Sequence, residues 1–357
     1  MAIRLHFHIA FVKNIAFYVE AQGVAVDRLC QRSGLGRELL TEPDAVVDGH
    51  VMERVWEVAV EETGDSNLGL HLGEGIQPAA IGMLGLVMMS CENLQAALLK
   101  LIRYWELMSN ATRIELSTKG DRATIELQVM DIPGNFLYRN RHPVDSSFSA
   151  CLSLLQAMAG QRLSVLEAAS TYSPPLDIQD YVRVLGVRPR FGAAANIMSF
   201  PAEVMRLPLR YANATLVEAL EEQMMRRVKR NPVTLQERVR LELVRRLRAQ
   251  VPSLEAIAIS LGVSERAMQR ELQLEGTTFR RVIDDLRKDL AAEYLVDSHQ
   301  SIADISFLLG FSEPSVLHRY FRRWYGVTPA TYRAQQPSRL RESEARRSPA
   351  DNTTPTR

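Results

Sequence analysis

The chain is short of the features that mark an enzyme, a membrane protein or a secreted one. Its 357 residues include only three cysteines, Cys30, Cys91 and Cys151. They are isolated, odd in number and without a C-x-x-C pair. That argues against a disulfide framework or thiolate zinc site and favours reduced, structural thiols, with redox sensing as the alternative. No run reaches the roughly 18 apolar residues of a membrane span; the longest, Ile81 to Met89, is broken by glycines. The first residues lack the apolar core and cleavage site of a signal peptide, so a cytoplasmic protein is expected. The G-x-S-x-G, G-x-x-x-x-G-K-[ST] and H-E-x-x-H patterns are absent, so neither an enzyme nor a cofactor is expected. His6 and His8 form a lone H-x-H pair, better read as structural than as metal ligands. The glycine-rich segment from Gly64 to Gly75 does not match a dinucleotide fingerprint, and turn geometry is its expected purpose.

Hydrophobic residues make up 46% and charged residues 24%, ordinary for a globular protein, and the length allows two or three domains. Net charge is only +1, but it is unevenly spread. Residues 1–224 carry 19 Lys+Arg against 26 Asp+Glu, while residues 225–357 carry 24 against 16. An acidic half joined to a basic half suggests a sensor joined to a nucleic-acid binder. Much of the positive charge falls between Met225 and Gln250, including Arg238, Arg240, Arg245, Arg246 and Arg248. Some of these side chains are expected on phosphates; a solvated helix face is the plainer alternative.

In that basic half one pattern occurs twice. The first copy runs from Ile257 through Gly262-Val263-Ser264 to Arg270, the second from Ile305 through Gly310-Phe311-Ser312 to Arg319. Each reads as a short apolar helix, a Gly for the turn, an apolar residue, a capping Ser, and a second helix. This is a helix-turn-helix, whose second helix enters the DNA major groove. Met268 and Leu272 should point inward in the first recognition helix, leaving Arg266, Gln269 and Arg270 outside. Arg suits guanine O6/N7 and Gln suits adenine N6/N7; phosphate contact is the alternative for each, Arg270 most of all. In the second, Val316 or Leu317 and then Phe321 should be buried, leaving Ser315, His318 and Arg319, with Arg322 and Arg323 on phosphate or solvent. Ser301 and Asp304 form an S-x-x-D capping box. Phe279 to Val296 reads as a connecting helix of about 27 Å at 1.5 Å per residue. That length can hold two reading helices near major-groove segments about 34 Å apart.

The tandem motifs, with Leu309-Gly310-Phe311-Ser312 and Phe321-Arg-Arg-Trp324-Tyr-Gly326-Val-Thr-Pro329, resemble the DNA-binding domain of the AraC/XylS family of bacterial transcription regulators. Asp65-Ser-Asn-Leu-Gly69-Leu-His71-Leu-Gly73-Glu74, Ile81 to Gly85, Leu94 to Tyr104 and Tyr181 to Phe191 resemble the "arabinose-binding type" N-terminal domain of one branch, which includes regulators of ornithine use, virulence and quorum-linked genes. The name does not imply that arabinose binds here. The resemblance implies a DNA-binding regulator, an activator by family habit, with promoter DNA and RNA polymerase as partners. It allows a small-molecule effector and a homodimer. A ligand-independent regulator, controlled by expression level or a protein partner, is the alternative. An alkyl-transfer enzyme fused to a regulator would need an activated Cys, and all three cysteines lie in apolar or neutral contexts.

The expected architecture is an α+β sensor domain followed by an all-α domain with two helix-turn-helix motifs on a long helix. The expected boundaries are 1–222 for effector binding and dimerisation, 223–232 for a linker, 233–336 for DNA binding and 337–357 for a disordered tail. In the sensor, Val24 to Leu40, Val51 to Thr63, Leu94 to Met108 and Val144 to Ala159 read as helices. Thr112 to Val129 alternates about a Lys119-Gly120-Asp121 turn as a hairpin. Leu163 to Ala168 and Asn196 to Phe200 read as strands. Tyr104, Trp105, Phe136, Tyr138 and Arg141 are pocket candidates, though ordinary core is the favoured reading for each, and the effector-binding residues are not identified by the sequence.

Overall fold

The computed structural model describes residues 5–130, 135–138, 140–230, 234–247, 251–297 and 300–335. The 337–357 tail lies outside these. The described chain forms two compact units, one of residues 5–130 and 135–230 and one from 234 onward.

The first unit is built on a four-stranded antiparallel sheet. Its hairpin, β3 (Thr112–Lys119) and β4 (Arg122–Val129), pairs Thr112 with Val129 and Lys119 with Arg122. Gly120 makes the turn at φ +60, a conformation that a Cβ disfavours. β6 (Asn196–Pro201) pairs with β4 and then with β5 (Glu167–Ala169), so the order is β3-β4-β6-β5. Along β4 the alternation buries Ala123, Ile125 and Leu127 on one face, as a half-covered strand requires. The strand expected over Leu163 to Ala168 is shorter and later than its apolar residues suggest.

Helices cover that face. α1 (Ile9–Ala21) follows a three-residue strand, β1 (His6–His8), that pairs with β2 (Val46–Asp48). α2 (Val26–Ser33) stops at Gly34, in the left-handed region, and only a 3-10 turn (Arg37–Leu40) fills the rest of the expected helix. α3 (Gly49–Thr63), α4 (Leu68–Gly73), α5 (Gly82–Met89) and α6 (Leu94–Tyr104) precede the hairpin. Asn93 caps α6 through the Ala96 amide at 2.8 Å, and Leu94, Leu98, Leu101 and Tyr104 are buried. α7 (His142–Ala159) and α8 (Gln179–Leu185) lie between hairpin and β6; α9 (Ala214–Arg230) follows β6 and carries most of the 223–232 span as helix.

The glycine-rich segment divides in two. Gly64 and Gly75 do occupy turns, at φ +65 and +79. Gly69 and Gly73 instead sit in α4, one helical turn apart, where α4 presses on α7. A Cβ on Gly69 would lie 2.1 Å from the His142 carbonyl oxygen, and one on Gly73 2.5 Å from the Ala150 nitrogen. Close helix approach, not turn geometry, requires those two.

The second unit is all helical: α10 (Leu235–Arg246), α11 (Leu254–Ser260), α12 (Glu265–Leu274), α13 (Phe279–Asp297), α14 (Ile302–Leu308), α15 (Pro314–Tyr325) and α16 (Pro329–Gln335). Leu235, Val239, Leu243 and Leu247 are buried in one stripe, and so are Val282, Leu286 and Leu290 of α13, with Leu295 buried on another face of that helix. The unit is one three-helix design used twice, α10-α11-α12 and α13-α14-α15.

Candidate nucleic-acid interface and N-terminal cavity

The two repeats match at their turns. Ser253 caps α11 and Ser301 caps α14, the latter with the reciprocal Asp304 bond of a capping box. Gly262 and Gly310 turn the chain at φ +68 and +66. The next amides, of Val263 and Phe311, donate back to Ala258 and Ser306 carbonyls at 3.0 Å each.

They part at the start of the recognition helix. Ser264 caps α12, its side chain accepting the Ala267 amide at 3.2 Å. Ser312 does not cap α15. That role falls to Glu313, at φ −147 and ψ 149, without a side-chain cap bond, and the helix begins at Pro314. A residue before proline is pushed out of the helical region, so Glu313 cannot be the first helical residue. Proline itself fits there because its missing N–H would be unsatisfied anyway. The second reading helix therefore begins one residue later. Met268 and Leu272 correspond to Leu317 and Phe321, all four fully buried; Val316 is half-buried.

With that register, Arg266, Gln269 and Arg270 occupy the positions of Ser315, His318 and Arg319. All six are exposed, as is Arg322. Ser315 Oγ donates to Glu313 Oε2 at 3.1 Å. Arg323 stacks over Tyr320, 4.8 Å from the ring centre. Tyr325 is not on the reading face: its hydroxyl donates to the Lys288 carbonyl at 3.0 Å and its ring packs 4.7 Å from Phe321. Arg245 belongs to α10, but its side chain lies outside the described residues.

The basic run contributes less free charge than its composition implies. Arg240 is buried and paired with Asp289 at 2.8 Å; Arg246 holds Glu242 at 2.7 Å. Arg238 donates to the Leu261 carbonyl at the first turn, at 3.4 Å. Arg287 does the same work at the second turn. Its Nε donates to the Leu309 carbonyl at 2.8 Å and a terminal nitrogen to that of Gly310 at 2.6 Å, while its guanidinium lies 4.1 Å from the Phe311 ring centre. Partial burial pulls its pKa down, and the carbonyls and ring face compensate the half-buried cation. Arg333 likewise donates to the Leu295 and Gln300 carbonyls, at 3.1 and 2.8 Å. Composition counts Arg238, Arg240 and Arg246 as candidates for DNA, whereas each is engaged by a partner inside the fold.

The first unit has a cavity of about 130 Å³ between its sheet and helices. Of the pocket candidates, only Trp105 lines it. Tyr104 donates to Glu221 at 2.8 Å, and Phe136 is core against Phe7. Tyr138 is exposed and its hydroxyl donates to the Val129 carbonyl at 2.9 Å. Arg141 is held by Asp145 at 2.8 Å, a carboxylate that also accepts from Tyr172 and Tyr181. Burial pushes all three thiols up, Cys151 to about 12, which starves them of the reactive thiolate. His8 accepts the Ala10 amide as the cap of α1. Among the described residues no three His, Cys, Asp or Glu side chains cluster to hold a metal, and no helix is long and apolar enough to cross a membrane.

Residues 23–209, more than half of the chain, match the family described as the arabinose-binding domain of AraC transcription regulators, and residues 257–335 match a helix-turn-helix domain. The chain is 28% identical over 328 residues to the ornithine utilization regulator of Pseudomonas aeruginosa, covering 91% of this chain and 95% of that protein. It is 44% identical over 102 residues to the transcriptional regulator VirS of Mycobacterium tuberculosis, covering 28% of this chain and 30% of that one. The crystal structure of the regulator CdpR from Pseudomonas aeruginosa aligns at a TM-score of 0.40 and 24% identity, over 79% of this chain and 91% of that one. The chain belongs to the AraC family of DNA-binding transcription regulators, in the branch with the arabinose-binding-type N-terminal domain, and is not an enzyme.

Proposed function

We propose that the protein is a sequence-specific activator that reads two successive major-groove segments with α12 and α15 and responds to a small molecule held in its N-terminal unit. One observation carries the DNA reading: Arg266, Gln269 and Arg270 stand at the positions of Ser315, His318 and Arg319, exposed on two helices of one unit. Arg266 and Gln269 supply bidentate base contacts, Ser315 and His318 single ones, and Arg270 and Arg319 serve base or phosphate. Arg245 and Arg322 add phosphate contacts that set register without reading sequence. The N-terminal cavity supports the effector, whose binding shifts the balance between states of different DNA or polymerase affinity. RNA polymerase and a second copy of the chain are the expected partners of the bound form.

Footprinting of the purified protein on its own sheared genomic DNA tests this. A sharp site of about 15–20 base pairs, some two helical turns, is expected. Diffuse, salt-labile binding, unchanged by cell extract, contradicts it.

A further inference from the structure

We infer that the N-terminal cavity takes a compact, uncharged apolar molecule of about alkylbenzene size, rather than an amino acid or a sugar. The inference rests on the reading that this unit binds an effector, and supplies the chemical class.

The cavity lies against the buried face of the sheet, on Ile114, Ile125 and Leu127, and is lined from the helix side by Phe11 and Trp105, whose rings meet edge-on at 6.1 Å, among other apolar side chains. None of the residues lining it is charged. Of the polar side chains that line it, Trp105, Thr112, Ser109 and Ser147 bond inside the fold and Asn14 reaches the Ala80 carbonyl at 3.5 Å, which leaves Ser146 as the one other hydroxyl. Trp105 Nε1 donates to Thr112 Oγ1 at 3.0 Å, Ser147 Oγ to the Pro143 carbonyl at 2.8 Å, and Ser109 Oγ accepts the Ala111 amide at 3.0 Å. Cys151 also lines the cavity, and burial alone raises its thiol pKa.

A zwitterionic amino acid would bury carboxylate and ammonium groups there without counter-charges, and a sugar would bury a ring of hydroxyls with few partners; both desolvation costs are prohibitive. An apolar molecule meets neither. Size narrows the class. An apolar cavity of about 150 Å³ takes benzene, and this one is about 130 Å³. Protein interiors rarely leave a void of this size, and a ligand that fills it restores the lost contacts.

The test uses the full-length protein with fluorobenzene and toluene as probes and L-ornithine and L-arabinose as comparators. Fluorine NMR is expected to show saturable fluorobenzene binding that toluene displaces. Carbon-labelled methionine methyls should show NOEs to toluene from Met52 and Met198, which line the cavity. Leu127→Trp and Cys151→Phe fill it from opposite walls, and each should lose about tenfold in affinity or more. The methionine NOEs locate the site even where a filled variant does not fold. Absence of fluorobenzene binding, NOEs confined to other methionines, or undiminished binding in both folded variants overturns the inference. A rise in Tm with ornithine or arabinose and none with toluene also overturns the apolar class, yet leaves the effector reading standing. Toluene bound at Met52 and Met198 without any change in operator affinity does the reverse: the ligand class holds and the effector reading fails.

Discussion

At the first helix-turn-helix, Arg238 reaches the turn through one long hydrogen bond of 3.4 Å to Leu261; at the second, Arg287 makes two of 2.8 and 2.6 Å and stacks on Phe311. The second repeat also packs Phe311, Tyr320 and Trp324 together, with ring centres 5.4 to 6.5 Å apart. The first has no aromatic residue between Leu254 and Leu274. Its exposed positions, however, are richer in bidentate donors: Arg266 and Gln269 stand where the second repeat has Ser315 and His318. One frame has thus been specialised twice. The second repeat is the better anchored, and the first carries more of the chemistry that distinguishes bases.

Removing the better anchor should have the largest effect. Arg287→Ala strands two carbonyls and should cost on the order of 2–3 kcal/mol, whereas Arg238→Ala, at a marginal bond length, should cost less than about 1 kcal/mol. Chemical unfolding followed by far-UV circular dichroism measures both. Arg287→Lys should restore little, since an ammonium lacks the planar fork. Next come the base readers. Arg266→Ala and Gln269→Ala should each lose about 1–3 kcal/mol of discrimination at one base position, against less for Ser315→Ala. Equal loss on specific and random DNA, measured by fluorescence anisotropy, would remove a residue from that role. The caps come third. Ser264→Ala should destabilise by about 1 kcal/mol, while Ser312→Ala should be close to neutral, because only the first serine caps its helix. The smallest effect is the sequence-independent one: Arg245→Ala should weaken binding to every sequence alike and flatten the salt slope by about one.

The frame of each repeat is legible because a cap, a glycine and a heptad-like stripe act locally; Ser253, Ser301, Gly262 and Gly310 all do what their residue type dictates. Ser312 misleads because proline two residues on overrides it, a restriction also local and readable from Glu313-Pro314. Gly69 and Gly73 are harder. Their spacing of four fits a helix face, but only contact with His142 and Ala150, about 75 residues later, makes glycine necessary. The clamping arginines share this difficulty: a run of positive charge says nothing of the Leu261 carbonyl that engages Arg238 or the Asp289 carboxylate that pairs with Arg240. α1 escapes notice because its start depends on the His8 cap within a three-residue strand. The α+β and all-α division is readable, whereas the cavity wall assembles from segments far apart in the chain, and of the five side chains singled out for it only Trp105 takes part.

In the proposed complex two reading helices, held by one connecting helix, engage successive segments of one DNA face. The most direct test inserts about five base pairs, half a helical turn, between the two halves of the footprinted site and measures affinity by gel shift. A fall to the level of random DNA is expected, because α13 cannot let α15 follow its half-site to the opposite face. Affinity retained after the insertion would mean that a single recognition helix carries the specificity, and would contradict the tandem reading.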